Sequence, residues 1–198
     1  MPTLTRHLIC AALLAAFLTA HADVDKPAGT ILYAETPDGI EFLLADHTPP
    51  TDRGWASFGG HGEADETVAE TAARETEEET HGYFSREQLL AAIGDQPPLT
   101  DGPYSFFVIK VDHVPIAEIA NHPVPPGSPT YAERGPFAWI PLSQIKRFFD
   151  PATISFPLRI QPDLLPSNSH TDYVWPLWLH NLSVALESGA IPLPARNP

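Results

Sequence analysis

The sequence predicts a layered α/β domain, and three observations carry that prediction. Two apolar runs, residues 29–35 and 40–45, flank Thr36-Pro37-Asp38-Gly39, and Asp-Gly between such runs signals a β-hairpin. A helical pattern over residues 67–80 follows a glycine pair. An amphipathic pattern over 174–187 closes the chain. Hairpins mixed with helices bury their apolar faces as stacked layers of sheet and helix.

Residues 1–22 precede the domain. Arg6 and His7 make a short basic start, residues 8–20 are apolar, and Ala20-His21-Ala22 is an A-x-A cleavage signature. Together they read as a secretory signal peptide. The run is shorter than the roughly 20 residues a membrane span needs. Cys10 lies near its start and is not placed for lipidation. Cleavage after Ala22 leaves residues 23–198 as one domain without cysteine, expected to be periplasmic or secreted and not membrane-inserted.

Further elements follow in order. Residues 48–54 are a loop, and 55–58 a short strand running into Gly59-Gly60. The helix over 67–80 has Asp65 as its expected N-cap. A second helix spans 85–93, begun by Ser85 and ended by Gly94. Gln96-Pro97-Pro98 breaks the chain; 104–111 reads as a buried strand and 115–120 as a weaker one. Residues 123–129 are proline-rich loop, 137–140 a strand, 142–149 a helix and 160–172 a polar loop. The last helix turns Trp175, Leu177, Trp178, Leu182 and Leu186 inward, and 192–198 is a mobile tail. There is no internal repeat.

The chain of 198 residues carries 25 acidic and 11 basic side chains, a net charge of −14. Such a surface repels nucleic acid, which needs a basic face. It also repels a pyrophosphate unless cations intervene, so a site acting on phosphates would work through bound metal. Several chemistries find no footing. No histidine has a zinc spacing, there is no phosphate-binding P-loop, and there is no G-x-S-x-G. Asn181-Leu182-Ser183 matches a glycosylation acceptor but sits inside the last helix and reads as packing at the core edge.

The most informative pattern is a six-residue constellation. Gly60, then five residues, Glu66, then seven, Arg74-Glu75, then two, Glu78-Glu79. Helical residues advance about 100° each, so Glu75, Glu78 and Glu79 share one face of the helix. Like charges on adjacent turns repel, and a hard divalent cation with oxygen ligands removes that repulsion. The pattern resembles the Nudix box, the signature of the MutT-type hydrolases. Two departures stand out: Thr76 occupies a position the family fills with an apolar residue, and His81 falls where it has glycine, with Gly82 one place late.

The resemblance implies a Nudix-type α/β/α sandwich with a mixed, curved sheet between helices. It implies a Mg²⁺-dependent site, with Mn²⁺ a possible substitute. Glu78 and Glu79 would bind the metal, with the Gly59 carbonyl and Glu75 as further ligands. Arg74 would orient the carboxylates and Glu66 would hold the loop to the metal site. Gly60 would admit phosphate closely, and His61 could meet a phosphate or simply lie at the surface. Glu133, six positions before Trp139, resembles a later loop ligand, with Asp112 and Glu118 as alternatives. Glu75 is the first candidate for the general base and Glu79 the second. The implied reaction is cleavage of the pyrophosphate bond of a nucleoside diphosphate linked to another moiety. ADP-ribose, nucleotide sugars, NADH and nucleoside triphosphates all remain candidates; Pro97 and Pro98 lean weakly toward ADP-ribose. The other reading is a Nudix-like module that binds a nucleotide or protein without cleaving it.

Overall fold

A computed structural model describes residues 26–48, 51–150 and 156–193. The expected signal peptide and residues 194–198 of the expected tail lie outside them. The hairpin forms as expected: β1 (Ala28–Thr36) and β2 (Gly39–Asp46) pair antiparallel from Thr36↔Gly39 to Tyr33↔Phe42. Beyond that point another segment enters between them. β3 (Trp55–Ala56) pairs with the end of β2, and β4 (Phe58–Gly60) with the start of β1. The other edge of β1 takes β6 (Tyr104–Lys110) in parallel, followed by β5 (Leu99–Asp101). β7 (Phe137–Pro141) covers the outer edge of β2. The result is a mixed, curved, unclosed sheet of seven strands.

Side chains alternate along strands, so a sheet covered on both faces needs apolar residues at every position. β1 and β2 meet that demand. Ile31, Tyr33, Phe42 and Leu44 enter one core, and Leu32, Ala34, Leu43 and Ala45 the other. The first core is closed by α4 (Leu142–Lys146) and α5 (Pro176–Glu187). The second is closed by α1 (Val68–Glu79), α2 (Arg86–Ile93) and α3 (Ile116–Ala120). No helix among the described residues is long and apolar enough to cross a membrane.

Five local expectations are corrected. Asp65 sits at φ 68°, so Thr67 caps α1 instead, in a capping box with Glu70. Residues 116–120 are helix, not strand, because Ile116 and Ile119 are one turn apart and face the core together. β5 is an additional strand: Gly102 at φ 57° turns Asp101 back onto Tyr104. α4 stops at Lys146, where the next amides bond three residues back rather than four. Leu177 is 47% exposed, whereas Trp178, Leu179, Leu182 and Ala185 form the buried stripe of α5.

Candidate active site

The site begins where β4 runs into α1. Gly60 has the carboxylate of Glu75 against its Cα, in space any Cβ would fill. Gly59, at φ 153°, likewise lies against the Tyr104 hydroxyl. Arg74 ties this floor together. Its Nε and one terminal nitrogen donate to Glu66 at 3.0 and 3.1 Å; the other terminal nitrogen donates to Glu75 at 3.0 Å and Glu78 at 3.3 Å. It also donates to the His61 carbonyl at 2.8 Å, fixing the loop between strand and helix. Glu66 in turn accepts from the Glu63 amide and the Thr71 hydroxyl. Burial raises the Glu66 carboxyl, but these donors outweigh it and hold the group below its ordinary range.

Glu79 differs from its neighbours. It is 2% exposed and turns behind the floor, where it accepts from the Gly59 amide at 2.8 Å and Arg134 Nε at 2.6 Å. Burial pushes its pKa up to about 7 against the pull of Arg134 and the amide. Burial likewise raises Glu75 and Glu78, with Arg74 opposing.

His81 explains how Arg134 gets there. The amides of His81 and Gly82 bond to the carbonyls of Glu78 and Glu77, a Schellman ending for α1. His81 takes the left-handed position at φ 58° that glycine usually fills. Its Nε2 then bonds to the Arg134 carbonyl at 3.1 Å, and its ring packs edge-on against Phe137. The departure from the box thus tethers the 129–135 loop to the end of the box helix. The departure at Thr76 is also matched. Its buried hydroxyl donates to the Ala72 carbonyl at 2.7 Å and meets the Thr30 hydroxyl of β1 at 2.8 Å.

The opposite wall comes from the C-terminal segment. Buried Asp46 accepts the amides of His170 and Thr171, and Trp55 exchanges backbone hydrogen bonds with Tyr173 and Trp175. This stitching carries α5 to the site and encloses a cleft of about 690 Å³. Gly59, Gly60, His61, Glu75, Glu78 and Glu133 line one part of it; His47, Arg53, Tyr104, Trp175, Leu177, Trp178 and Asn181 line another. Arg53 stacks over Trp175 at 4.9 Å. His47 donates to the Ser57 carbonyl through Nε2, and burial with the nearby Arg134 and Arg53 pushes its pKa down to about 3. His47 Nδ1, Trp178 Nε1 and Asn181 Oδ1 are buried without a protein partner. An unmet buried polar atom costs about 1–3 kcal/mol.

Of the residues expected from sequence, Gly59, Gly60, His61, Glu75, Glu78 and Glu133 meet in the cleft, while Arg74 and Glu66 brace its floor. Glu79 joins them only through Gly59 and Arg134, so the three carboxylates do not present one open face. Asp112 and Glu118 do not line the cleft, and Glu118 accepts from Tyr83 instead. Among the described residues, no three acidic, histidine or cysteine side chains converge as a metal-binding group. The repulsion expected between the box carboxylates is met here by two guanidinium groups, Arg74 and Arg134. The donor set itself, carboxylate and carbonyl oxygens only, fits a hard divalent cation. The sequence does not reveal Arg134 as the partner of Glu79, nor that His47, Trp178 and Asn181 border the cleft. A helix stripe of tryptophan and leucine gives no sign that it borders a cleft.

The family model for the NUDIX domain matches residues 25–156. No curated protein matches the chain. Similar solved structures include the NUDIX domain of Shewanella oneidensis NrtR complexed with ADP ribose, at 14% identity and TM-score 0.48, covering 88% of this chain and 97% of that one. A Nudix hydrolase from M. smegmatis, RenU, has 18% identity and TM-score 0.43, covering 87% and 91%. A C. elegans Ap4A hydrolase in a binary complex has 22% identity and TM-score 0.41, covering 60% and 81%.

Proposed function

The chain belongs to the Nudix family, and we propose that it is an exported pyrophosphohydrolase that cleaves, with Mg²⁺, the pyrophosphate bond of a nucleoside diphosphate linked to another moiety. One observation supports this above the others: Glu75, Glu78, Glu133 and the Gly59-Gly60 turn share a cleft with an aromatic wall. The glycines let a diphosphate approach the backbone, and the aromatic wall suits a base.

Glu75, Glu78 and Glu133, with the Gly59 carbonyl, would hold the ion, and Glu79 would support it from behind. When bound, the divalent ion supplies positive charge against the phosphate oxygens and acidifies the attacking water. Glu75 would accept the proton of the attacking water, because it lines the cleft whereas Glu79 does not. The phosphorus–bridging-oxygen bond breaks, releasing a nucleoside monophosphate and a phosphorylated remainder. Arg74 fixes the carboxylate geometry and does not touch substrate.

A panel of ADP-ribose, nucleotide sugars, NADH and nucleoside triphosphates, assayed with Mg²⁺ for monophosphate release, tests the reading. Release that disappears in EDTA and returns with Mg²⁺ is the expected result. Saturable nucleotide binding with no release would assign a binding module instead. Export is tested separately: protein from the native host should begin at Asp23, and a chain starting at Met1 would remove that part.

A further inference from the structure

Three of the four buried side-chain polar atoms that lack a partner among the described residues belong to residues lining the cleft: His47 Nδ1, Trp178 Nε1 and Asn181 Oδ1. Buried polar atoms in folded proteins are nearly always paired. Three exceptions along one cleft call for a ligand that pairs them. Their roles are fixed. The Ser57 carbonyl can only accept, so His47 Nε2 carries the hydrogen and Nδ1 is an acceptor. Trp178 Nε1 only donates, and Asn181 Oδ1 only accepts. The cleft lining therefore offers two acceptors and one donor, and it includes the aromatic residues Trp175 and Tyr104.

The diphosphate bridge of a nucleoside diphosphate substrate leaves both acceptors unmet, since it carries no hydrogen at neutral pH. A sugar hydroxyl donates but has no flat face for the tryptophans. An aminopurine meets every demand: its exocyclic amine brings two hydrogens, and a ring nitrogen or carbonyl beside it accepts one. Two fused rings also cover more aromatic surface than one. We propose that His47, Trp178 and Asn181 form a base subsite that recognises the amino-bearing edge of a purine nucleotide. This rests on the reading that the cleft takes a nucleoside diphosphate. Two of its three residues, Trp178 and Asn181, lie beyond the residues that match the family, and His47 lies within them. The three atoms are shielded from water in the free protein, so the ligand reaches them by moving side chains. Leu177 and Arg53, the latter stacked over Trp175, are exposed in the lining of the same cleft and are the side chains a ligand would displace.

The test uses full-length protein with ADP-, GDP-, CDP- and UDP-glucose, which share one leaving group and differ in the base. The two purines should exceed UDP-glucose by about tenfold or more in kcat/KM, with CDP-glucose, which has the amine on a single ring, between them. Asn181→Leu and Trp178→Phe should each raise KM for the purine substrates about tenfold, by more than for UDP-glucose, so that the purine preference shrinks. Trp178→Phe keeps an aromatic ring against Phe42, and circular dichroism of the variant checks that the fold is retained. Equal use of UDP-glucose, or variants that shift all four substrates alike, would overturn the proposal. Should no substrate be cleaved, the hydrolase reading fails, and calorimetry with ADP, GDP, CDP and UDP decides the subsite alone. Purine-selective binding weakened in both variants upholds it; binding indifferent to base or to the variants overturns it.

Discussion

The two sides of the cleft are finished to different degrees. On the floor, Arg74 and Arg134 already satisfy Glu66, Glu75, Glu78 and Glu79 in the free protein. On the wall, His47, Trp178 and Asn181 each keep a polar atom without a partner. A floor held by internal pairs keeps its geometry whichever substrate arrives, as a reaction common to many substrates requires. A wall with unmet atoms discriminates, because a ligand that fails to pair them leaves the cost in place. The floor lies within the residues that match the family, and most of the wall lies beyond them.

The largest effects are expected on the floor. Glu78→Gln and Glu79→Gln should each lower turnover by about a hundredfold or more. They should part in stability. Like-charge repulsion alone would leave both variants as stable as the parent or more so. The structure corrects this for Glu79, whose loss takes the carboxylate partner from the half-buried Arg134, at about 1–3 kcal/mol. Glu78 is one of several partners of Arg74 and should cost less than about 1 kcal/mol. Thermal melting in EDTA separates the two. Equal melting temperatures would show that Arg134 has another partner. The pH dependence gives a second check. The Glu79 carboxyl, raised from 4.5 to about 7, favours the folded state fully below pH 4.5 and loses that contribution as pH rises through 7. Glu79→Gln should flatten melting temperature across that window.

Legibility in the sequence follows the same division. The box reads directly, because a fixed spacing on a helix fixes which carboxylates can meet. The hairpin, α2 and the two-faced burial of the sheet read equally well, from Asp38-Gly39, Ser85 with Gly94, and unbroken apolar runs. The partners across the chain do not read. Arg134 looks like the neighbour of Glu133, and nothing local says that it reaches back 55 residues to Glu79. Asn181 looks like core-edge packing, which its 8% exposure bears out, yet its amide oxygen borders a cleft. Leu177 shows the limit of the helical stripe: several apolar neighbours define a face only once the partner surface is known.

Between floor and wall in expected size lies the loop that joins Arg134 to the box helix. His81→Gly removes the tether to the Arg134 carbonyl while relieving the left-handed strain. Stability should change little, and kcat should fall about tenfold because Arg134 and Glu133 lose their placement. His81→Asn tolerates the same backbone but cannot reach as far, so it should behave like the glycine variant. Unchanged kcat in both would show that the loop holds itself. Glu133→Gln is the milder change in the same loop. Glu133 is exposed at the cleft and its charge raises the neighbouring Glu75. A few-fold loss in kcat, larger than the change in KM and eased at high Mg²⁺, is expected. Kinetics equal to wild type at every Mg²⁺ concentration would take Glu133 out of the ligand set.

The smallest effect tests whether the floor is as complete as its hydrogen bonds indicate. Thr76 donates its hydroxyl hydrogen to the Ala72 carbonyl, so Thr30 must be the donor in the contact between the two hydroxyls. Thr76→Val removes the acceptor and leaves the Thr30 hydroxyl buried with nothing to donate to. That should cost about 1–3 kcal/mol. Thr30→Val removes only a donor, and Thr76 keeps its bond to Ala72, so its cost should be nearer 1 kcal/mol or less. The double variant leaves no orphan and replaces two hydroxyls with methyl groups of similar shape. Its stability should therefore exceed that of Thr76→Val alone, although it carries one more substitution. Denaturant unfolding of the four proteins gives the coupling directly. Activity should stay within about twofold throughout, since neither residue lines the cleft. Additive losses would mean that the two hydroxyls are not coupled, and that the polar residue at position 76 is tolerated for a reason other than β1.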